Sequence, residues 1–381
     1  MTSAGKRTVL VVERRLTHYR VPFFEALRIE LAARACDLLL AHGGPTDIER
    51  TKSDEGELPW AHSLPTRYWL GGRVCWQPFG MLARRAELVV VNAENKLLSN
   101  LPMQLLDRRR RVALWGHGAG LDADPESLRE RFKRYAANRA DWWFAYTSVS
   151  VPLIERSGFP RDRITLLNNA VDTAAMQELV NRVDVDRIDR LRESLGLRGQ
   201  RVGAFIGSLY ELKGLPFLLE AAAAIRQRVP DFELLIVGSG PQQSLVQAFC
   251  AQHPWAKALG VRTGQDKFDV LGLSHVMLNP HGLGLGILDS FVSGVPVVTT
   301  DSGKHGPEAA YLENGRNGVM SAPRLDEFVA AASRLLEDPA ALKRLRDGCR
   351  ASASKYTVGH MAENFADGVE AALAAPIRRF R

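Results

Sequence analysis

Short apolar runs alternate with amphipathic helical stretches along all 381 residues. That rhythm predicts an α/β protein of two doubly wound, Rossmann-like domains facing across a cleft, with C-terminal helices packing back toward the first. Two further observations support it. The length exceeds one ordinary hydrophobic core and suits two domains. The rhythm also stops over the polar, charge-rich residues 173–199 and then restarts.

In the first half, strands are expected at 8–13, 36–42, 87–92, 111–117, 142–147 and 164–168. Helical patterns lie between them at 21–35, 96–108, 126–139 and 151–158. Pro22 stands near the start of its helix, where a missing N–H costs little. In the second half, strands are expected at 201–209, 232–238, 256–261, 276–280 and 295–300, with helices at 216–228, 242–252 and 286–294. From Leu325 the chain reads helical, ending in an amphipathic stretch over 358–374. The domains are accordingly 1–172, 173–355 and a returning helix in 356–381.

Composition narrows the class. A hydrophobic content of 46 % with 24 % charged residues belongs to a folded globular protein and excludes a disordered one. No apolar run approaches the roughly 20 residues that span a bilayer. The first seven residues carry no apolar segment of a secretory signal, so a cytoplasmic location is expected. Cys36, Cys75, Cys250 and Cys349 are scattered without C-x-x-C spacing, a reduced pattern offering neither disulfide framework nor metal site.

The net charge of +7 points to an anionic partner. Basic residues cluster early, at Arg14, Arg15 and Arg20, at 108–111, and at Arg129, Arg131, Lys133, Arg134 and Arg139. Phe23, Phe24, Phe132, Tyr135, Trp142 and Trp143 accompany them. Such mixing suits peripheral contact with the anionic inner face of a membrane, or else a solvated basic face beside ordinary core aromatics. No nucleic-acid signature goes with the charge, and no nucleic-acid partner is expected.

The segment His281-Gly282-Leu283-Gly284-Leu285-Gly286 follows a buried strand and opens a helix. Its glycines let a backbone approach a ligand closely, and the helix N-terminus favours an anion such as a diphosphate. Asp289 stands about one turn inside, where a carboxylate can accept hydrogen bonds from ribose hydroxyls. Lys213 follows the strand ending at Gly207, as a point charge for phosphate oxygens or as a solvated lysine at a helix start. Val237-Gly238-Ser239-Gly240-Pro241 ends a third strand, either touching a nucleotide base or only turning the chain.

Taken in order, the G-x5-KG of Gly207 to Gly214, the VG-x-GP at Val237, the glycine turn with its acidic helix, and GVPVVTTD from Gly294 resemble retaining glycosyltransferase family four, with the GT-B fold. Trp115-Gly116-His117-Gly118, Asn168 to Asp172, and Glu313 to Gly318 extend the resemblance over nearly the whole chain. The resemblance implies transfer of a sugar from a nucleotide-diphosphate donor to a saccharide or lipid-linked saccharide, as in surface polysaccharide or glycoconjugate synthesis. It implies that Lys213 and the backbone of Gly282, Leu283, Gly284 and Leu285 contact the diphosphate, and that Asp289 binds the ribose as the second acid of an E-x7-E motif. His117 is implied to stand near the reacting sugar. Attack is implied on the face the leaving group departs from, with retention, the leaving phosphate helping to take the acceptor's proton. No cofactor or metal is expected, because fixed positive groups would neutralise the leaving group.

Three departures stand out. His281 replaces the first acid of E-x7-E, which in the family touches the donor sugar. Ser208 stands where an arginine is expected, leaving Lys304, His305 or a first-loop arginine to compensate. The family's Gly-Gly turn after the first strand is replaced by Arg14-Arg15-Leu16-Thr17-His18-Tyr19-Arg20, whose His18, Tyr19 and Arg20 are acceptor-side candidates. A nucleotide-sugar epimerase on the same fold and a non-catalytic subunit binding nucleotide sugar or anionic lipid remain open alternatives at this point.

Overall fold

The computed structural model describes residues 6–50, 54–94, 96–107, 109–118 and 128–378. Residue 108 and the first residues of the helix expected from position 126 lie outside that set. The chain divides into two compact units, residues 1–171 with 358–381, and residues 172–357.

The first unit begins with β1 (Arg7–Glu13), α1 (Val21–Ala33) and β2 (Cys36–His42). Small elements follow: α2 (Asp47–Arg50), β3 (His62–Ser63), β4 (Arg67–Trp69), β5 (Val74–Trp76) and α3 (Gly80–Ala83). The rhythm resumes with β6 (Leu88–Asn92), α4 (Asn100–Leu106), β7 (Arg111–Gly116), α5 (Leu128–Ala137), β8 (Trp142–Ala145), α6 (Ser150–Arg156) and β9 (Ile164–Leu166). A parallel sheet of order β3-β2-β1-β6-β7-β8-β9 results. Its central strands are covered on both faces, so they are near-continuous apolar runs such as Leu88 to Val91.

Residues 43–86 carry no long period, and their short elements, including the antiparallel hairpin β4–β5, were not legible in the sequence. The helix expected over 96–108 is shorter than its pattern. Cys75 N–H donates to Lys96 O at 2.7 Å and Leu98 N–H to Cys75 O at 3.0 Å, so 96–98 lie against β5 and α4 starts only at Asn100.

The second unit opens with α7 (Thr173–Asn181) and α8 (Val185–Ser194), where the sequence showed only a polar connection. Asp172 and Asp184 cap them, accepting from Ala175 N at 2.9 Å and Arg187 N at 2.8 Å. Then come β10 (Arg201–Ile206), α9 (Leu215–Arg228), β11 (Phe232–Val237), α10 (Gln243–Gln252), β12 (Ala256–Gly260), α11 (Gly264–Leu273) and β13 (Val276–Leu278). The unit closes with α12 (Gly286–Ser293), β14 (Val297–Thr300), β15 (Gly318–Ser321) and, still packed within it, two of the C-terminal helices. These are α13 (Leu325–Glu337), which packs on α9, and α14 (Pro339–Ala353), which packs on α12. The sheet is parallel, of order β12-β11-β10-β13-β14-β15. Phe205, Leu218, Leu234, Leu278 and Phe328 belong to its main core.

The last helix, α15 (Val358–Ala374), belongs to the first unit and packs on α1. Phe365 stacks on Phe144 at 4.2 Å and meets Trp115 edge-on at 5.4 Å and Phe23 at 5.8 Å. The C-terminal helices are therefore shared between the units.

Candidate active site

In an open parallel sheet, ligands bind beyond the carboxyl ends of the strands, where connections leave in opposite directions. In the second unit that point lies between β10 and β13. The loops leaving these strands carry Gly207 to Gly214 and Asn279 to Leu285. Residues 69 positions apart thus meet at one end of the sheet. Lys213 Nζ donates to Gly282 O at 2.5 Å, and burial lowers the Lys213 pKa from the ordinary lysine value.

The approach is close because of two left-handed glycines. Gly282 has φ +65°, and a Cβ there would meet Lys213 Cδ at 2.9 Å. Gly214 has φ +64°, and a Cβ would meet His281 Nδ1 at 2.5 Å. His281 stacks on Phe217 at 5.9 Å, and burial with the neighbouring Lys304 charge lowers its pKa. It is neutral at pH 7.

The glycine turn is held from outside. Gly282 N–H donates to Lys304 O at 2.8 Å, and Leu283 N–H to His305 Nδ1 at 3.1 Å. His305 Nε2 lies 2.7 Å from Thr300 O, which fixes the tautomer with hydrogen on Nε2. Burial lowers the His305 pKa, so this ring is a neutral strut between two backbone groups. With Gly282 and Leu283 committed, the amides of Gly284, Leu285 and Gly286 at the mouth of α12 are those left to face a ligand among the described residues. Glu308, buried, lies beside Gly284 and Gly306. Ser208 is exposed after Gly207.

Asp289 is 9 % exposed and pairs with Lys267 of α11 at 2.6 Å. Sequence reasoning missed Lys267, because no motif links a residue of α11 to one of α12. Two Asp-x-Asp triplets do occur in the chain. That at 122–124 lies outside the described residues, and in that at 184–186 Asp184 caps α8.

In the first unit, His117 follows β7 with its ring 4.4 Å from Tyr146, edge to face. Desolvation and the Arg20 charge lower its pKa, leaving it neutral at pH 7. Arg20 is 7 % exposed, donates to Asn169 Oδ1 at 2.8 Å and lies over the Trp115 ring at 5.1 Å. Tyr19 and His18 are exposed beside it. The loop after β1 reads as basic, yet Arg14 bonds Glu49 at 2.7 Å and Arg15 bonds Asp54 at 2.7 Å. Those arginines are neutralised locally. Of the aromatics beside basic residues, Phe23, Phe24, Trp142 and Trp143 are core, and Phe132 and Tyr135 are exposed.

Residues 200–338, which lie in the second unit and carry its glycine turn, match the family model described as Glycosyl transferases group 1. The second unit carries a group 1 glycosyltransferase domain. Over 188 residues, 44 % of this chain, it is 30 % identical to the GDP-mannose-dependent alpha-(1-6)-phosphatidylinositol monomannoside mannosyltransferase of Mycolicibacterium smegmatis. That match covers 48 % of the relative, so the chain spans about half its length. The D-inositol 3-phosphate glycosyltransferase of Nocardia farcinica is 25 % identical over 346 residues, 86 % of this chain and 71 % of the relative. The crystal structure of Anabaena HepE in complex with UDP superposes with a TM-score of 0.69 at 16 % identity, covering 95 % of this chain and 99 % of that one. The fold is GT-B. Within the group 1 domain, Lys213 and the glycine turn meet at the switch point, and Asp289 follows in the first turn of α12.

Proposed function

We propose that this chain is a glycosyltransferase moving a sugar from a nucleotide-diphosphate donor to a hydroxyl of a saccharide or lipid-linked saccharide, in surface polysaccharide or glycoconjugate synthesis. The observation that carries the reading is the convergence of Lys213, the glycine turn and the N-terminus of α12 at the second unit's switch point. A departing diphosphate needs charge stabilisation in a preorganised setting. Lys213 and the amides of Gly284 to Gly286 supply it, in a reading that requires no metal or other cofactor. Asp289, oriented by Lys267, accepts from the ribose hydroxyls. His117 contributes a neutral imidazole near the reacting sugar, and His18 and Tyr19, exposed after β1, are acceptor-side candidates. Transfer proceeds with retention.

The neutral His281 removes a negative charge from beside the donor sugar, so the preferred sugar differs from that of a relative with a carboxylate there. Peripheral contact with an anionic membrane face would engage the exposed Phe132 and Tyr135 with Arg131 and Arg139. Among the described residues no helix is long and apolar enough to cross a membrane.

The test is thermal stabilisation across UDP, GDP, dTDP and CMP sugars without added metal. One nucleotide diphosphate series is expected to raise the melting temperature, with affinity falling about ten- to a hundredfold in Lys213→Ala, the loss of one charge-assisted hydrogen bond. No shift with any of them, alongside stabilisation by anionic vesicles, overturns the transferase reading.

A further inference from the structure

The last residue of β14, Thr300, is fully buried and holds the glycine turn at two points. Its hydroxyl donates to Pro280 O at 2.7 Å, just ahead of His281. Its backbone oxygen lies 2.7 Å from His305 Nε2, and the other ring nitrogen, Nδ1, accepts from Leu283 N–H at 3.1 Å. Two backbone bonds flank the ring: Gly282 N–H donates to Lys304 O at 2.8 Å, and Gly306 N–H donates to Leu283 O at 2.6 Å. Residues 304–306 thus run along 282–283. Of these bonds, those made by the imidazole are the ones a proton can break.

The ring has no nitrogen to spare. A cationic His305 making good the charge missing at Ser208 would have to turn an N–H toward a phosphate, yet both nitrogens engage backbone groups. Protonation adds a hydrogen at Nδ1, which then faces the Leu283 N–H donor to donor. Leu283 is fully buried, and an amide stripped of its acceptor there is unfavourable. Around the ring stand Lys213 from the loop after β10 and His281 from the loop after β13, with Lys304 preceding it. The acids of its own segment are Asp301, which is exposed, and Glu308, buried beside Gly284 and Gly306. Burial lowers the His305 pKa from its ordinary 6.5, the Thr300 hydrogen bond opposing that shift and the Lys213 charge adding to it.

We propose that His305 is a positioning residue for the donor diphosphate, a neutral strut that aims the glycine turn and releases it when protonated. The proposal rests on the transferase reading and deepens it. The bond from Leu283 N–H to Nδ1 comes immediately before the amides of Gly284, Leu285 and Gly286. Held in place, those amides meet an anion without reorienting, which strengthens binding. Donor affinity therefore falls in acid. A histidine acting as a phosphate-binding cation gives the opposite sign, since its contribution grows as pH falls.

The experiment measures binding of UDP-glucose, GDP-mannose and dTDP-glucose to the full chain by calorimetry from pH 5 to 7.5, where the charge of these diphosphate diesters is constant. For the donor that binds, wild-type affinity is expected to be level down to about 6.5 and to fall about tenfold toward pH 5. His305→Asn puts a non-titrating oxygen in the place of Nδ1. It should bind within about threefold of wild type at pH 7.5 and stay level to pH 5. His305→Gln puts its amide in the place of Nε2, leaves Leu283 N–H without that acceptor, and should bind about tenfold more weakly at every pH. His281 and Lys213 are present in all three proteins, so differences between the profiles belong to position 305. Hydrogen exchange of the peptide carrying Leu283, read without ligand and corrected for intrinsic rate, should show protection kept in His305→Asn and lost in His305→Gln, with the rest of the chain unchanged. Wild-type affinity that rises as pH falls, or a His305→Gln protein with wild-type affinity and profile, overturns the proposal and leaves the transferase reading standing. A wild type that binds none of the three donors overturns both, even where exchange shows the turn held.

Discussion

Asp289 shows how one side chain carries two duties. It sits almost fully buried in the first turn of α12, where a carboxylate suits the helix dipole, and it holds Lys267 of the neighbouring helix at 2.6 Å. Removing either partner strands the other charge in a dry setting, which costs about 3 kcal/mol. Lys267→Met and Asp289→Asn are each expected to lower the denaturant midpoint. The double variant should lose less than the sum, because the pair acts as a unit. Nucleotide affinity separates the roles: Asp289→Asn should weaken it, whereas Lys267→Met, which leaves the carboxylate in place, should weaken it less. Additive stability losses would show that the contact contributes little. The carboxylate was legible from its place after the glycine turn. Its lysine partner was not, since helix-to-helix proximity has no signature in a single sequence.

Elements are tied together by groups that chain order does not mark. His275, just before β13, accepts from Val202 N at 3.2 Å and donates its own N–H to Val202 O at 2.8 Å, joining β13 to β10. Burial and nearby arginines, Arg346 first, depress its pKa to about 4. The sign follows from linkage. Between about 6.5 and about 4 the unfolded chain binds a proton that the folded ring refuses, so the stabilisation is complete above about 6.5 and lost as pH falls toward 4. Allowing for the ring's partial exposure, the loss is about 2 kcal/mol. Melting temperature should fall over that window, and His275→Gln should flatten the slope there. An unchanged slope would remove His275 as the cause. At the same scale, the loop after β1 reads as a run of positive charge, yet the fold brings Glu49 and Asp54 onto it. The Glu49 carboxyl is lowered to about 2, with Arg14 its main partner against the cost of burial.

Across the whole chain, the last helix closes the core opened by the first residues. α15 lays Phe365 against Phe144, Trp115 and Phe23, which come from β8, β7 and α1. Phe365 is 0 % exposed, and truncating such a ring costs about 3 to 5 kcal/mol. Phe365→Ala should therefore lower the calorimetric transition of the first unit. The melting shift of the second unit with its nucleotide should persist, because that unit's core contains none of these rings. Simultaneous loss of nucleotide binding would show that the units do not fold separately.

Two sheets, their alternation with helices and the position of the glycine turn were determined by local sequence. Continuous apolar runs can be satisfied only as buried parallel strands, and glycine alone relieves the left-handed turns at Gly214 and Gly282. The short elements of residues 43–86 escaped because two- and three-residue strands have no period to read. The helices over 173–194 escaped because their faces are mostly polar and their burial comes from packing on α11 and α12. Only the tertiary structure decided which charges are spent and which are available. Arg14, Arg15 and Arg20 look alike in sequence, but their energetics depend on carboxylates, amides and rings from distant segments. Glu13 is the plainest case. Nothing distinguishes it in the chain, and its carboxyl is raised to about 7 only because folding desolvates it at a strand end, against the opposing pull of Arg20.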